Sequence, residues 1–120
     1  QNGFHNEQKR GLPDIAAMAD PINSYITVYQ GYLNNFSGTS AATPLMACII
    51  ARIQNQLNRN IGFLNDLIYT PEGSKTLIDI TEGNNCQNMI GYFARVGWDP
   101  CTGLGRPDGM KLLEYLSKIV

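Results

Sequence analysis

The sequence has few charged residues, a single histidine and no long apolar run, and these shortages exclude several kinds of function. Asp, Glu, Lys and Arg make up 16% of the 120 residues, against about 25% in an ordinary soluble domain. The formal net charge is −1, and the scattered basic residues form no surface for nucleic-acid phosphates. No apolar run approaches the length of about 20 residues that a membrane helix needs. We therefore expect neither nucleic acid nor a membrane as a partner.

The three cysteines show no spacing that is typical of a zinc site. Cys48, Cys86 and Cys101 lack the Cys-x-x-Cys and Cys/His patterns that hold zinc. Cys48 lies in an apolar run and is predicted to be a small buried residue. Cys86 and Cys101 flank one loop region, and the sequence leaves open whether they pair in an oxidising compartment.

Apolar residues are plentiful enough for a core, at 43% of the chain. The run from 41 to 53 is apolar almost all round, which predicts a helix buried on most sides. A helix of this kind needs cover from elsewhere, and the chain starts at Gln1 without an initiator Met. We therefore expect the sequence to be part of a longer protein. The predicted elements are a strand over 25–29, helices over 41–57 and 62–69, a strand over 77–80, and a helix over 108–118 with Asp108 as N-cap.

Ser40 stands where a glycine-containing turn, Ser37-Gly38-Thr39, enters the long apolar helix. The first amides of a helix have no intrahelical acceptor, and the helix dipole is positive there. A hydroxyl at this point can attack a carbonyl while a nearby amide stabilises the oxyanion. The alternative is that Ser40 is simply the N-cap of the helix. His5 lies in a polar loop and is interpreted as a surface residue, not as the base of a catalytic triad.

Several stretches, in a fixed order, carry a resemblance to a known family. Gly-Thr-Ser-Ala-x-x-Pro over 38–44 resembles the serine motif of the sedolisins, serine-carboxyl peptidases on a subtilisin-like fold. The segments 10–21 and 61–69 resemble the family's segments before and after the serine helix. The blocks 79–85 and 97–105 resemble its calcium loop.

The resemblance implies an α/β fold, the C-terminal portion of a subtilisin-like fold with a twisted parallel sheet and a buried serine-bearing helix. Residues 1–120 would form the C-terminal part of the peptidase domain. Its parts would be a serine segment over 9–60, a calcium-loop segment over 77–109 and a closing helix over 108–118.

The resemblance also implies a calcium site. Its ligands would be the side chains of Asp79 and Asp99 and the carbonyls of Ile80, Arg95 and Gly97, a set of hard oxygen donors that suits calcium. Arg95 stands where the family usually has glycine. Without the resemblance, Asp79 and Asp99 would be interpreted as carboxylates that cap turns.

In the family the base is a glutamate with an aspartate four residues later, and a further aspartate stabilises the oxyanion. The sequence holds no Glu-x-x-x-Asp pair. We therefore expect Ser40 to be the catalytic nucleophile of an acid-acting, calcium-binding endopeptidase only together with the N-terminal remainder of the domain. Substrates would be peptides or proteins, and the location secreted or an acidic organelle. The alternative is an inactive calcium-binding fragment or a split or decayed module. A small-molecule hydrolase is disfavoured because no Gly-x-Ser-x-Gly elbow exists.

Overall fold

The computed structural model describes residues 8–88 and 90–119, which form two compact units. Ala17–Arg59 make up one unit, called here the serine unit. The described residues up to Ala16 and from Asn60 onward make up the other, called here the loop unit. His5, interpreted above as a surface residue, lies outside the described residues.

The serine unit opens with a β-hairpin. Strand β1, Tyr25–Tyr29, pairs antiparallel with strand β2, Tyr32–Phe36. The two residues of the turn, Gln30 and Gly31, both have positive φ (50° and 80°), a geometry that matches the natural twist of a hairpin. The strand predicted over 25–29 is confirmed with its bounds, and β2 leads directly towards Ser40.

The long helix α1 spans Thr39–Leu57 and ends at Asn58, which has left-handed geometry (φ 52°). It ends where the sequence predicts but begins two residues earlier, so that it includes Ser40, and few of its residues are buried. Only Ala41 and Ile53 are buried, and Cys48, predicted to be buried, is exposed. Burial depends on what packs against a helix, and the described residues leave the other faces of α1 uncovered.

The loop unit contains three helices and one short sheet among its described residues. Its largest buried apolar side chains are Ile68, Leu112 and Leu116, each at most 2% exposed. The elements are α2 (Leu64–Ile68), α3 (Pro71–Ser74), β3 (Leu77–Ile78), β4 (Arg106–Pro107) and α4 (Gly109–Ile119).

Helix α4 is capped as the sequence predicts. The Asp108 Oδ1 atom accepts hydrogen bonds from the amides of Met110 at 3.1 Å and Lys111 at 3.2 Å. These amides belong to the first turn and have no acceptor within the helix, so the carboxylate stabilises the start of α4.

The twisted parallel sheet is not found in the part of the chain that the structure describes. Both sheets there have two strands, and both pairs are antiparallel. Parallel neighbours need crossover connections, and the strands described here are joined either by a tight turn or by a long loop. None of the helices formed by the described residues has the length and apolar character needed to cross a membrane.

Candidate functional site

Ser40 lies in the first turn of α1, and it is not the N-cap. The N-cap is Gly38, which has no side chain to cap the helix, so Thr39 and Ser40 are the first two helical residues. Ser40 is exposed. Within residues 8–88 and 90–119 its hydroxyl has no hydrogen-bond partner. The alternative interpretation of Ser40 as a cap is therefore wrong.

The backbone at the start of α1 leaves donors next to this hydroxyl. The amides of Ala41 and Ala42 both donate to the Gly38 carbonyl, at 2.9 and 3.2 Å. The amides of Thr39 and Ser40 have no acceptor among the described residues. Free amides at the positive end of a helix dipole are suited to hold an anionic oxygen.

Gly38 gives this turn its shape. Its φ of 81° and ψ of 176° fall in a region that is almost restricted to glycine. Its amide donates to the Ala19 carbonyl at 2.9 Å, which fixes the approach of the chain to Thr39. The position of Ser40 therefore depends on a glycine two residues before it.

Pro44 also affects the first turns of α1. It lies five residues after the first helical residue, so its missing N–H is one that the helix would use. The carbonyl of Ser40 consequently receives no donor from position 44. The Ser40 carbonyl thus lacks the hydrogen bond that residue 44 would donate in an ordinary helix.

Asp79 follows strand β3 in the loop unit, and one of its oxygens has no partner. Its Oδ2 atom accepts from the Gly97 amide at 2.7 Å. Its Oδ1 atom is buried and makes no hydrogen bond with any described residue. A buried carboxylate oxygen without a donor is costly unless a cation binds it.

Asp99, in contrast, has both oxygens occupied by its own loop. It is 0% exposed. Its Oδ1 atom accepts from the amides of Cys101 at 2.9 Å and Thr102 at 2.7 Å, and Oδ2 accepts from the Arg95 amide at 2.8 Å. Asp99 therefore does cap a turn, as the alternative interpretation expected of such carboxylates.

The other predicted calcium ligands lie on the same segments. Arg95 and Gly97 carry the amides that bind the two carboxylates, and Ile80 follows Asp79 in the chain. Arg95 is not among the described residues with positive φ, so an arginine in place of glycine causes no backbone strain.

No cluster of three or more His, Cys, Asp or Glu side chains suited to a metal occurs among the described residues. The predicted calcium ligands comprise only two such side chains, together with three backbone carbonyls, so they are not a cluster of this kind.

The loop that carries Asp99 is bound to the segment around Asp14, and sequence reasoning missed this relationship. The Trp98 indole donates to the Pro13 carbonyl at 2.9 Å, and the Leu104 amide donates to the Asp14 carbonyl at 2.8 Å. A Cβ on Gly103 would lie 2.3 Å from that same carbonyl oxygen. Only a glycine allows so close an approach.

The side chain of Asp14 is held by two neighbouring side chains. It forms an ion pair with Arg10 and accepts a hydrogen bond from the Tyr69 hydroxyl at 3.0 Å. Burial, together with the neighbouring Asp14 carboxylate, raises the pKa of Tyr69 to about 12. These three residues lie at the edge of an open cavity of about 600 Å³, which Phe63 also lines.

Comparison with known proteins places this geometry in a family. The profile of the subtilase family matches residues 2–98. Kumamolisin from Bacillus sp. (strain MN-32) is 46% identical over 111 residues, and physarolisin from Physarum polycephalum is 37% identical over 125 residues. A solved structure of Pseudomonas sedolisin, a serine-carboxyl proteinase complexed with two molecules of pseudo-iodotyrostatin, is similar with a TM-score of 0.83 and 33% identity.

These relatives are much longer than the chain. The match covers 89% of the chain but 20% of kumamolisin, and 95% of the chain but 21% of physarolisin. It covers 90% of the chain and 30% of the solved Pseudomonas protein. The chain thus spans about a fifth of the length of the curated relatives it matches.

Proposed function

The chain belongs to the sedolisins, within the subtilase family, and on this premise we propose that it supplies the nucleophile, Ser40, for peptide-bond hydrolysis. The observation that carries the proposal is the environment of Ser40. The residue is exposed in the first turn of α1, next to free amides and after a glycine N-cap. A structural serine at a helix start would instead use its hydroxyl as a cap.

The chemistry follows from this position. The Ser40 Oγ atom attacks the carbonyl carbon of the scissile peptide bond, and the carbonyl oxygen becomes an oxyanion. The amide of Ser40 is a donor for that oxyanion, assisted by the positive end of the α1 dipole. Collapse of the tetrahedral intermediate releases the amine product and leaves an acyl group on Ser40, which water then hydrolyses.

The proton of the Ser40 hydroxyl needs an acceptor, and the described residues offer none within hydrogen-bond distance. We propose that the base is a carboxylate from the N-terminal remainder of the catalytic domain. A carboxylate remains ionised at acid pH, where a histidine would be protonated, so the reaction is expected to run in acid. The partner of this chain is thus the rest of the domain, and its substrates are peptides or proteins. A secreted or acidic-organelle location fits that chemistry.

The exposed apolar side of α1 supports such a partner. Leu45 is 39% exposed and Cys48 is exposed, and the helix has no charged residue before Arg52. Apolar helix surface is stabilised when another element covers it. The remainder of a sedolisin domain is the covering element that we propose.

We further propose that the loop unit binds calcium. The ligands would be Asp79 and Asp99 with the carbonyls of Ile80, Arg95 and Gly97. The unpartnered, buried Oδ1 atom of Asp79 supports this proposal, because a divalent cation is the natural partner of a buried carboxylate on an oxygen-rich loop. Bound calcium would fix the loop.

A chimera tests the role of Ser40. The matching segment of the Pseudomonas serine-carboxyl proteinase is replaced by residues 9–119 of this chain, and hydrolysis of a peptide is followed at acid pH. We expect the chimera to be active and its Ser40→Ala variant to lose at least about 1,000-fold in kcat. Ser37→Ala, three residues away, is the matched control and should keep activity. A folded chimera that is equally active with Ser40→Ala would refute the proposal.

A further inference from the structure

A short segment before the hairpin, residues 17–20 and called here the approach segment, holds the turn that leads to Ser40. Both lie in the serine unit. The Gly38 amide donates to the Ala19 carbonyl of this segment at 2.9 Å. Gly38 has a φ of 81°, and a glycine permits this geometry without enforcing it, because glycine also populates most other backbone conformations. The hydrogen bond to Ala19 therefore fixes the direction in which the chain enters α1.

The position of the approach segment depends on side chains. The segment belongs to no helix or strand, so no ladder of backbone hydrogen bonds holds it. The Tyr25 hydroxyl donates to the Met18 carbonyl at 2.9 Å. At the end of the segment, the Asp20 carboxylate accepts from the Ile22 amide at 2.9 Å and from the Asn23 side chain at 2.7 Å. The bonds of Asp20 form a local turn, whereas the bond of Tyr25 joins the segment to the hairpin.

Tyr25 is itself fixed relative to the turn before Ser40. It is the first residue of β1 and pairs with Phe36, the last residue of β2, which lies two residues before Gly38. Its side chain is half-buried. The hydroxyl therefore closes a ring of bonds that runs through the approach segment, the Gly38 amide and the pair of strands.

From this ring of bonds we propose that Tyr25 is a positioning residue for Ser40. Its hydroxyl holds the approach segment, the Ala19 carbonyl of that segment holds Gly38, and Gly38 sets the direction of the Ser40 Oγ atom. The inference rests on the proposed function of Ser40 and adds to it a residue outside the serine motif. A displacement of about 1 Å at a reacting group costs on the order of 100-fold in rate. Loss of one bond from a ring that keeps its others is expected to cost about 10-fold.

The test uses the chimera that carries residues 9–119 of this chain. Tyr25→Phe removes the hydroxyl and keeps the aromatic side chain. We expect kcat for peptide hydrolysis at acid pH to fall about 10-fold while KM stays within about twofold, because the substrate still binds but the attacking oxygen is less well placed. The melting temperature should change by less than about 5 °C, since one neutral hydrogen bond contributes little to the stability of a large domain.

Tyr32→Phe is the matched control. Tyr32 lies on β2 of the same hairpin, its side chain is 75% exposed, and its hydroxyl has no hydrogen-bond partner among the described residues. This substitution makes the same chemical change as Tyr25→Phe without opening the ring of bonds. The control should keep both kcat and KM.

The inference is overturned if the Tyr25→Phe and Tyr32→Phe chimeras have equal kcat, or if Tyr25→Phe raises KM and leaves kcat unchanged. It is also overturned if Tyr25→Phe lowers the melting temperature by more than about 5 °C, because the hydroxyl would then support the fold as a whole. Activity that depends on Ser40 but not on Tyr25 overturns this inference alone. Activity that persists with Ser40→Ala overturns the proposed function together with it.

Discussion

Asp79 and Asp99 bind backbone amides only two residues apart in one loop. The Asp79 Oδ2 atom accepts from Gly97 at 2.7 Å, and the Asp99 Oδ2 atom accepts from Arg95 at 2.8 Å. The short segment 95–97 thus gathers two carboxylates, one of which is completely buried. Like charges that are brought together in this way repel each other, and a cation that binds both would offset the repulsion.

Replacement of Asp79 by Asn should abolish the response of the chain to calcium. The change keeps the size of the side chain but removes the charge of the unpartnered Oδ1 atom. For the wild-type chain at about 100 times the Kd, calcium should stabilise the folded state by about 2.7 kcal/mol. Melting curves with calcium and with chelator measure the difference. Asp108→Asn, which keeps a good N-cap on α4, is the control and should retain the response; an Asp79→Asn chain that still responds would contradict the assignment.

Replacement of Asp99 by Asn should destabilise the chain even when calcium is removed. Asp99 is completely buried and accepts hydrogen bonds from three backbone amides, and an Asn side chain has only one acceptor oxygen. We expect a loss of about 2–4 kcal/mol in the free energy of unfolding. Urea unfolding in chelator measures it. Equal stability of variant and wild type would show that the turn does not depend on this carboxylate.

Local patterns in the sequence predicted the secondary-structure elements but not which other elements pack against them. Strand 25–29 and the Asp108 cap follow from residue types within a few positions of each other, and such signals act locally. The burial of α1 and of Cys48 was predicted wrongly because it depends on which other elements pack against the helix. That information does not reside in the helix sequence.

The candidate site was predictable only in part. Ser40 and the predicted calcium ligands Asp79 and Asp99 were found through the family resemblance. Neither a serine nor a pair of aspartates is by itself specific for a catalytic or a calcium site. The cap at Gly38 was missed because serine is the commoner N-cap. The bond from Trp98 to Pro13 joins residues 85 positions apart, and no periodicity in the sequence reports a contact of that range.

Replacement of Gly103 by Ala should separate the loop from the segment around Asp14. A Cβ at position 103 would lie 2.3 Å from the Asp14 carbonyl oxygen, and the φ of 64° is also unfavourable for alanine. We expect a loss of about 2–4 kcal/mol in the free energy of unfolding. Gly83→Ala is the matched control, because Gly83 has positive φ (102°) but nothing within 4 Å.

The Gly83 variant carries the backbone strain alone and should lose about 1 kcal/mol. Urea unfolding of the two variants separates the clash from the strain. If both lose the same amount, the close approach between Gly103 and Asp14 contributes nothing to stability.

The pKa of Tyr69 makes stability depend on pH in the alkaline range. Burial raises this pKa from 10.0 to about 12, and the hydrogen bond to Asp14 adds to the effect. The folded chain therefore holds the phenol proton more tightly than the unfolded chain does. The resulting stabilisation is complete below pH 10 and is lost as the pH rises from 10 to about 12.

Tyr69→Phe should accordingly flatten the loss of stability over that pH window. Asp14→Asn, which removes the neighbouring charge, should lower the pKa of Tyr69 while burial keeps it above 10. Absorbance of the phenolate measures the titration, and urea midpoints at several pH values measure the stability. Because the chain has six tyrosines, the Tyr69→Phe difference spectrum isolates the one in question. A difference titration centred near 10 would mean that the Tyr69 hydroxyl is solvated and does not donate to Asp14.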